Sequence, residues 1–291
     1  MTLPVATFFD VFKPRIGVVI MLAALGGVAV APGDLPETWR IAAVALAVFV
    51  ASLSSGAFNQ WAERDLDARM RRTQRRPFAS GRYKAGPGWL AIIAVLLAAA
   101  VTLAALAGNV WAALYTFLGA FTYGVIYTLW LKRRSWTNIV IGGLAGSFAV
   151  LAGAAVVNPA PTAAPILLAV VLFLWTPPHF WSLAMATRDD YVRAGVPMLP
   201  VVAGDAVCAK VILAHTVALS VIALLPVFYG MNLIYLVAAL VGGVWFSHAS
   251  LALVADPSRS QAMRTFGASL AQLALLLSGA MLDRWLLGPG G

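Results

Sequence analysis

Residues 41–67 read IAAVALAVFVASLSSGAF and then NQWAERDLD. The first eighteen positions carry no charge, and the next nine carry three carboxylates, an arginine and two side-chain amides. A run of this length approaches the roughly 20 apolar residues that carry a helix across a bilayer. Charge at the lip of such a helix is expensive and points to a function. Asn59, Glu63 and Asp67 are spaced i, i+4, i+8. Each step of four residues drifts only about 40° around a helix, so the three side chains share one face. Acids stacked at i, i+4 repel each other, and a helix C-terminus already carries negative partial charge. A cation relieves both penalties. A hard divalent ion such as Mg²⁺, held by one or two carboxylates with water and phosphate oxygens completing its shell, suits this donor set.

The rest of the chain places that stretch in a membrane. Of 291 residues, 62% are hydrophobic and 11% charged, against about 25% charged in ordinary soluble domains. Apolar runs at 16–31, 41–58, 89–107, 110–130, 139–157, 163–186, 211–229, 232–254 and 265–286 predict nine spans. The run 16–31 ends Ala29-Val-Ala31, like a signal-peptidase site, but Pro32 follows directly, so a retained first helix is expected. The single cysteine, Cys208, excludes an internal disulfide and a cysteine-based metal site.

Nine crossings put the N-terminus and the loops after spans 2, 4, 6 and 8 on one side. All the basic residues but Arg40 and Arg284 fall there, which by the positive-inside bias makes that side cytoplasmic and the C-terminus opposite. The net charge of +9 is therefore topological and implies no nucleic acid. Two cytoplasmic loops are long, 59–88 and 187–210, and each opens with acids and continues with basic residues. Four spans separate them, as in a loose duplication of two helix groups. The expected architecture is an all-α membrane bundle of nine helices around a central cavity, forming one domain over 1–291.

Other residues carry two readings each. Asp65–Arg69 and Asp67–Arg71 are i, i+4 pairs that stabilise any solvated helix, but Asn59 and Glu63 lack such partners. The run Arg69, Arg71, Arg72, Arg75, Arg76 suits phosphate oxygens or anionic lipid headgroups. Lys132, Arg133 and Arg134 read as an interfacial anchor at the end of the fourth span. Thr176-Pro177-Pro178-His179 lies inside the sixth span, where two prolines free backbone carbonyls and kink a helix. His179 sits about 12 Å from the loop by helical rise, as an interhelical hydrogen-bonder or a functional group. His215 and His248 read as structural.

These residues resemble the UbiA-type membrane prenyltransferases, and within them the branch that farnesylates heme. Asn59, Glu63 and Asp67 match the first acidic motif, Asn/Asp-x3-Asp-x3-Asp, with Glu in the middle place. The branch shows in Met70-Arg-Arg72-Thr73-x-x-Arg76-Pro77, in Tyr127-Thr-x-x-Leu-Lys132-Arg133, and in Trp175-Thr-Pro-Pro-His179-Phe-Trp181 followed by Asp190-Tyr191 and Gly195-Val-Pro197-Met-Leu-Pro200. The likeness covers about 10–285. It departs at the second motif, Asp-x3-Asp, which falls on Thr187 and Tyr191; Asp190 is the replacement acid. The resemblance implies transfer of a farnesyl group from farnesyl diphosphate to a vinyl group of heme B, giving heme O and diphosphate. It implies Mg²⁺ on Asn59, Glu63, Asp67 and Asp190 as catalytic ligands, Arg72, Arg76, Lys132 and Arg193 on the diphosphate, and His179 on the heme. The implied partners are farnesyl diphosphate, heme B and a downstream heme-modifying or oxidase-assembly membrane protein, in a bacterial inner membrane. Two other readings remain open: prenyl transfer to an aromatic acid or quinone precursor, and a secondary transporter. A transporter carries ionisable groups near the midplane, whereas here, His179 apart, they gather at one lip.

Overall fold

Residues 5–288 are described in a computed structural model, and every regular element among them is helical. The elements are α1 (Val5–Phe12), α2 (Pro14–Val30), α3 (Thr38–Ala62), α4 (Arg64–Asp67), α5 (Pro87–Ala107), α6 (Val110–Phe121), α7 (Asn138–Gly142), α8 (Leu144–Val157), α9 (Ala163–Ala186), α10 (Arg188–Ala194), α11 (Leu199–Ala203), α12 (Asp205–Ile222), α13 (Leu233–Ala255) and α14 (Arg259–Leu287). A π-helix, Thr122–Leu131, continues α6, and a 3₁₀ turn, Leu225–Tyr229, follows α12. Among the described residues eight helical stretches are long and apolar enough to cross a bilayer, and α2, at 17 residues, is a further apolar helix at the short end of the spanning range. Large apolar side chains on their outer faces are exposed, Val95 at 67%, Leu106 at 79% and Val244 at 67%. Lipid covers such faces at no cost, whereas water would not.

Neighbours in sequence pack against one another around a ring: α2 on α3, α3 on α5, α5 on α6, α6 on α8, α8 on α9, α9 on α12, α12 on α13 and α13 on α14. α14 returns to α2 and closes it, while α2 on α8 and α9 on α14 join the two halves across the middle. With no hydrophobic force between helices in lipid, close approach depends on small residues. At the α2–α8 crossing a Cβ on Gly27 would lie 2.0 Å from the Val150 carbonyl oxygen, and one on Gly153 would lie 1.8 Å from that of Ala24. The backbones touch, so only glycine fits at either position.

α9 runs unbroken through Pro177 and Pro178, and hydroxyls take up carbonyls beside them. Thr176 Oγ1 donates to the Leu172 carbonyl at 2.9 Å, and Ser182 Oγ to that of Pro178 at 2.6 Å. The Phe173 carbonyl, freed by Pro177, faces Gly143, where a Cβ would stand only 3.2 Å from its oxygen.

Candidate active site

The acidic face survives the end of its helix. α3 stops at Ala62 and α4 begins at Arg64, yet Glu63 N–H still donates to the Asn59 carbonyl at 2.9 Å and Asp67 N–H to that of Glu63 at 2.8 Å. The i, i+4 register is thus carried across the junction. Asn59, Glu63 and Asp67 are 2%, 1% and 1% exposed, whereas the side chain of Asp65 is 74% exposed. The i, i+4 pairs that would mark a solvated helix do not form: Asp67 pairs with Arg76, and Asp65 has Arg64 at 4.0 Å.

Each member of the face meets one basic residue from elsewhere. Lys13 Nζ donates to Asn59 Oδ1 at 2.6 Å. Lys132 Nζ donates to Glu63 Oε2. Arg76 Nη1 lies 2.8 Å from both carboxylate oxygens of Asp67. Two of these partners were named from sequence, Arg76 and Lys132. Lys13 was read there as topology alone, because nothing local connects it to a residue 46 positions away. Burial, and Arg76 beside it, push the Lys13 ammonium well below the ordinary lysine range, while Glu63 and Asp67 pull the other way.

The π-helix positions the opposite wall. Its wider turn, closed by Lys132 N–H on the Tyr127 carbonyl at 2.9 Å, brings Thr128 and Lys132 to the acids; such segments recur at functional sites. Thr128 Oγ1 donates to the Tyr123 carbonyl at 2.8 Å and so accepts from Asn59 Nδ2 at 3.0 Å. That bond fixes the amide, with Oδ1 turned toward Lys13. Tyr123 and Tyr127 stack at 5.5 Å, and Lys132 Nζ lies 5.5 Å from the Tyr127 ring centre. Both rings lie within electrostatic reach of Glu63.

The oxygen donors here fit a hard cation. Glu63 Oε1 is buried and has no hydrogen-bond partner, and a buried carboxylate oxygen left alone is costly. With Glu63 Oε2, Asp67 and Asn59 Oδ1, which now accept from Lys132, Arg76 and Lys13, it offers the kind of oxygen donors that Mg²⁺ takes. Asp190 is not part of this group: among the described residues no three acids, histidines or cysteines come together. Its carboxylate accepts from the successive backbone N–H groups of Arg71 and Arg72, both at 3.2 Å, and from Arg193. Burial raises the Asp190 carboxyl, but those two N–H groups and the guanidinium outweigh it and hold it below the ordinary carboxylate range. The contact ties the two long loops together. Arg72 and Arg193 are exposed beside it, and Tyr127 lies within electrostatic reach of both Glu63 and Arg72.

His179 occupies a separate layer. Its ring is stacked between Trp175, centres 4.3 Å apart, and Phe266, 4.5 Å apart. Nδ1 lies 2.7 Å from Ser269 Oγ on α14. Ser269 Oγ already donates to the Phe266 carbonyl at 2.6 Å, so it accepts from the histidine. Nδ1 therefore carries the proton and Nε2 keeps its lone pair, the tautomer of a histidine able to ligate a metal. The interhelical hydrogen bond expected of a structural histidine is also present.

A ring of membrane helices with an acid face, three basic partners and a stacked, partly buried tyrosine pair at one end defines a class, and the family comparison agrees. The model of the UbiA prenyltransferase family matches residues 20–285, and the chain belongs to that family. It is an integral membrane prenyltransferase. The particular likeness is to protoheme IX farnesyltransferase 2 of Paramagnetospirillum magneticum, 54% identical over 99% of this chain and 100% of the relative. Among solved structures, a digeranylgeranylglyceryl phosphate synthase superposes with a TM-score of 0.77 at 17% identity, covering 96% of this chain and 97% of the other. A UbiA homolog from Archaeoglobus fulgidus bound to DMAPP and Mg²⁺ superposes with a TM-score of 0.71 at 14% identity, over 93% of this chain and 99% of the other. Both share the fold.

Proposed function

We propose that this enzyme transfers a farnesyl group from farnesyl diphosphate to a vinyl group of heme B, yielding heme O and diphosphate. The observation that carries the reading is full-length identity of 54% to a protein named for that reaction, joined to an acid face whose donors suit a diphosphate-bound cation. Asn59, Glu63 and Asp67 would hold Mg²⁺, and Asp190, oriented by two backbone N–H groups, is assigned a second ion. When bound, the metal neutralises charge on the leaving diphosphate. Arg76 and Lys132 stand at the acids, and Arg72 and Arg193 by Asp190, so cations flank the diphosphate from both loops. They stabilise negative charge as the allylic C–O bond ionises. The rings of Tyr123 and Tyr127 present π faces to the allylic cation, and the bundle shields it from bulk water. The vinyl carbon of heme attacks farnesyl C1, and water then adds to the resulting cation as hydroxyl with loss of a proton. His179, with Nε2 unprotonated, is assigned to the heme iron, setting the macrocycle below the acids.

The domain extends over 1–291, the cytoplasmic side of a bacterial inner membrane carries the N-terminus and both loops, and the C-terminus lies opposite. A downstream heme-modifying or oxidase-assembly membrane protein receives the product. The experiment is incubation of purified protein with Mg²⁺, heme B and farnesyl diphosphate, following diphosphate release. Release that depends on an aromatic acid instead of heme would favour the related reaction on quinone precursors.

A further inference from the structure

Gln272 stands near the middle of α14, a helix of 29 residues, and is 1% exposed. Neither its Oε1 nor its Nε2 has a hydrogen-bond partner. Gln60, Glu63 and Asn138 are buried with one polar atom unpaired; among the described residues Gln272 is the buried amide or acid that has both unpaired. An unpaired amide is costly in a membrane interior, where no bulk water competes, and polar groups kept at that depth mark function. The stem is not loose. A Cβ at Gly242 of α13 would lie 3.1 Å from Gln272 Cα and 3.2 Å from its Cγ, so the bare glycine receives the side chain. The amide is held in place before anything pairs with it.

Its place on α14 says what it faces. Ser269, three residues earlier and so a neighbour on the helix surface, accepts from His179 Nδ1 at 2.7 Å and offers its carbonyl to Trp175 Nε1 at 2.9 Å. Phe266 stacks on His179 and Ser269 meets Trp175, so α14 runs antiparallel to α9 and away from the two long loops. Gln272 therefore lies about 4.5 Å beyond Ser269 by helical rise, on the far side of the His179 layer from Glu63 and Asp67. An amide edge presents a donor and an acceptor side by side. A carboxylic acid is its complement: the acid O–H donates to Oε1 while the acid C=O accepts from Nε2–H. Low-dielectric surroundings keep such an acid protonated, so the pair buries no charge. Heme B carries two propionic acid arms on the edge of the macrocycle opposite its vinyl groups. With the iron at His179 and a vinyl toward the acid face, those arms turn to the side where Gln272 stands. We propose that Gln272 recognises the porphyrin acceptor by pairing with a propionic acid arm, and so stops the macrocycle turning about the iron–histidine bond while a vinyl faces farnesyl C1. This rests on the reading of His179 as the heme ligand.

The test uses the full-length enzyme in detergent, with heme B and its dimethyl ester as probes and binding read by absorbance. Esterification leaves the iron and both vinyls unchanged and removes the acid O–H. Wild type is compared with Gln272→Met, which keeps the length of the side chain and loses the amide, and the unfolding midpoint of each is measured. Wild type should bind heme B at least tenfold more tightly than the ester. Gln272→Met should bind both porphyrins about as weakly as wild type binds the ester, with an unchanged midpoint and an unchanged KM for farnesyl diphosphate. Equal affinity of wild type for the two porphyrins overturns the assignment. So does a wild-type preference for the free acid that persists in Gln272→Met, which would place the propionates on other groups. A lowered midpoint with equal losses for both porphyrins would make Gln272 a contact between α13 and α14 alone. Absence of any porphyrin binding to wild type would overturn the heme reading as well, and is thereby told apart.

Discussion

Replacing Glu63 by Gln tests whether the acid face is chemistry or architecture. Glu63 is 1% exposed and Lys132 9%, and they form one ion pair. Removing one partner of a buried pair strands the other charge and costs about 3–5 kcal/mol, whereas replacing both by apolar or neutral groups is often nearly neutral. The pair lies near the membrane surface, so the lower end, about 3 kcal/mol, applies to each single variant. Loss of a group that stabilises transition-state charge costs about 10²–10³ in rate. Glu63→Gln and Lys132→Met should each lower the unfolding midpoint in detergent and cut turnover by about two orders of magnitude. The double variant should regain most of the midpoint and none of the turnover. Such a cycle isolates the coupling because neither substitution adds a new contact. If activity returns with stability in the double variant, the acid acts only through folding. If the two losses of midpoint simply add, the pair does not exist as described.

Asp67→Asn should match Glu63→Gln in activity, while Asp65→Asn, altering a side chain 74% exposed, should stay within a few-fold of wild type; the reverse order in a diphosphate-release assay would place the ligand face wrongly. His179→Ala should weaken heme B binding, read by absorbance, while leaving farnesyl diphosphate affinity unchanged, and Ser269→Ala should weaken it in part by freeing the histidine tautomer. An unchanged heme spectrum in His179→Ala with normal turnover ends the ligand assignment. Gly153→Val places side-chain atoms where the Ala24 carbonyl stands and should lower the unfolding midpoint and yield of folded protein; a wild-type midpoint would mean α2 and α8 are not in backbone contact.

Most of the helical layout could be read from sequence because hydropathy and i, i+4 spacing are local. The run 163–186 reproduces α9 to the residue, and the face of Asn59, Glu63 and Asp67 survives even the break at Glu63. The partners of that face were less legible. Arg76 on Asp67 and Lys132 on Glu63 span 9 and 69 positions, and such pairings are set by tertiary packing. The wide turn at Thr122–Leu131 was invisible, since TYGVIYTLWL has the same composition as an α-helical span. Lys13 was hidden twice over: its basic character is what topology demands at that place, and its left-handed backbone depends on the room left by Gly56. For Asp190, sequence located the acid, and the structure supplied its contacts with Arg71 and Arg72 in the other loop.

The most direct test of the central claim is mass analysis of the heme after incubation of the purified enzyme with Mg²⁺, heme B and farnesyl diphosphate. The account predicts a porphyrin heavier by one hydroxylated farnesyl group on a single vinyl, formed together with one equivalent of diphosphate. The product should be absent with Glu63→Gln. Heme B recovered unmodified, while the same preparation prenylates an aromatic acid, would contradict it.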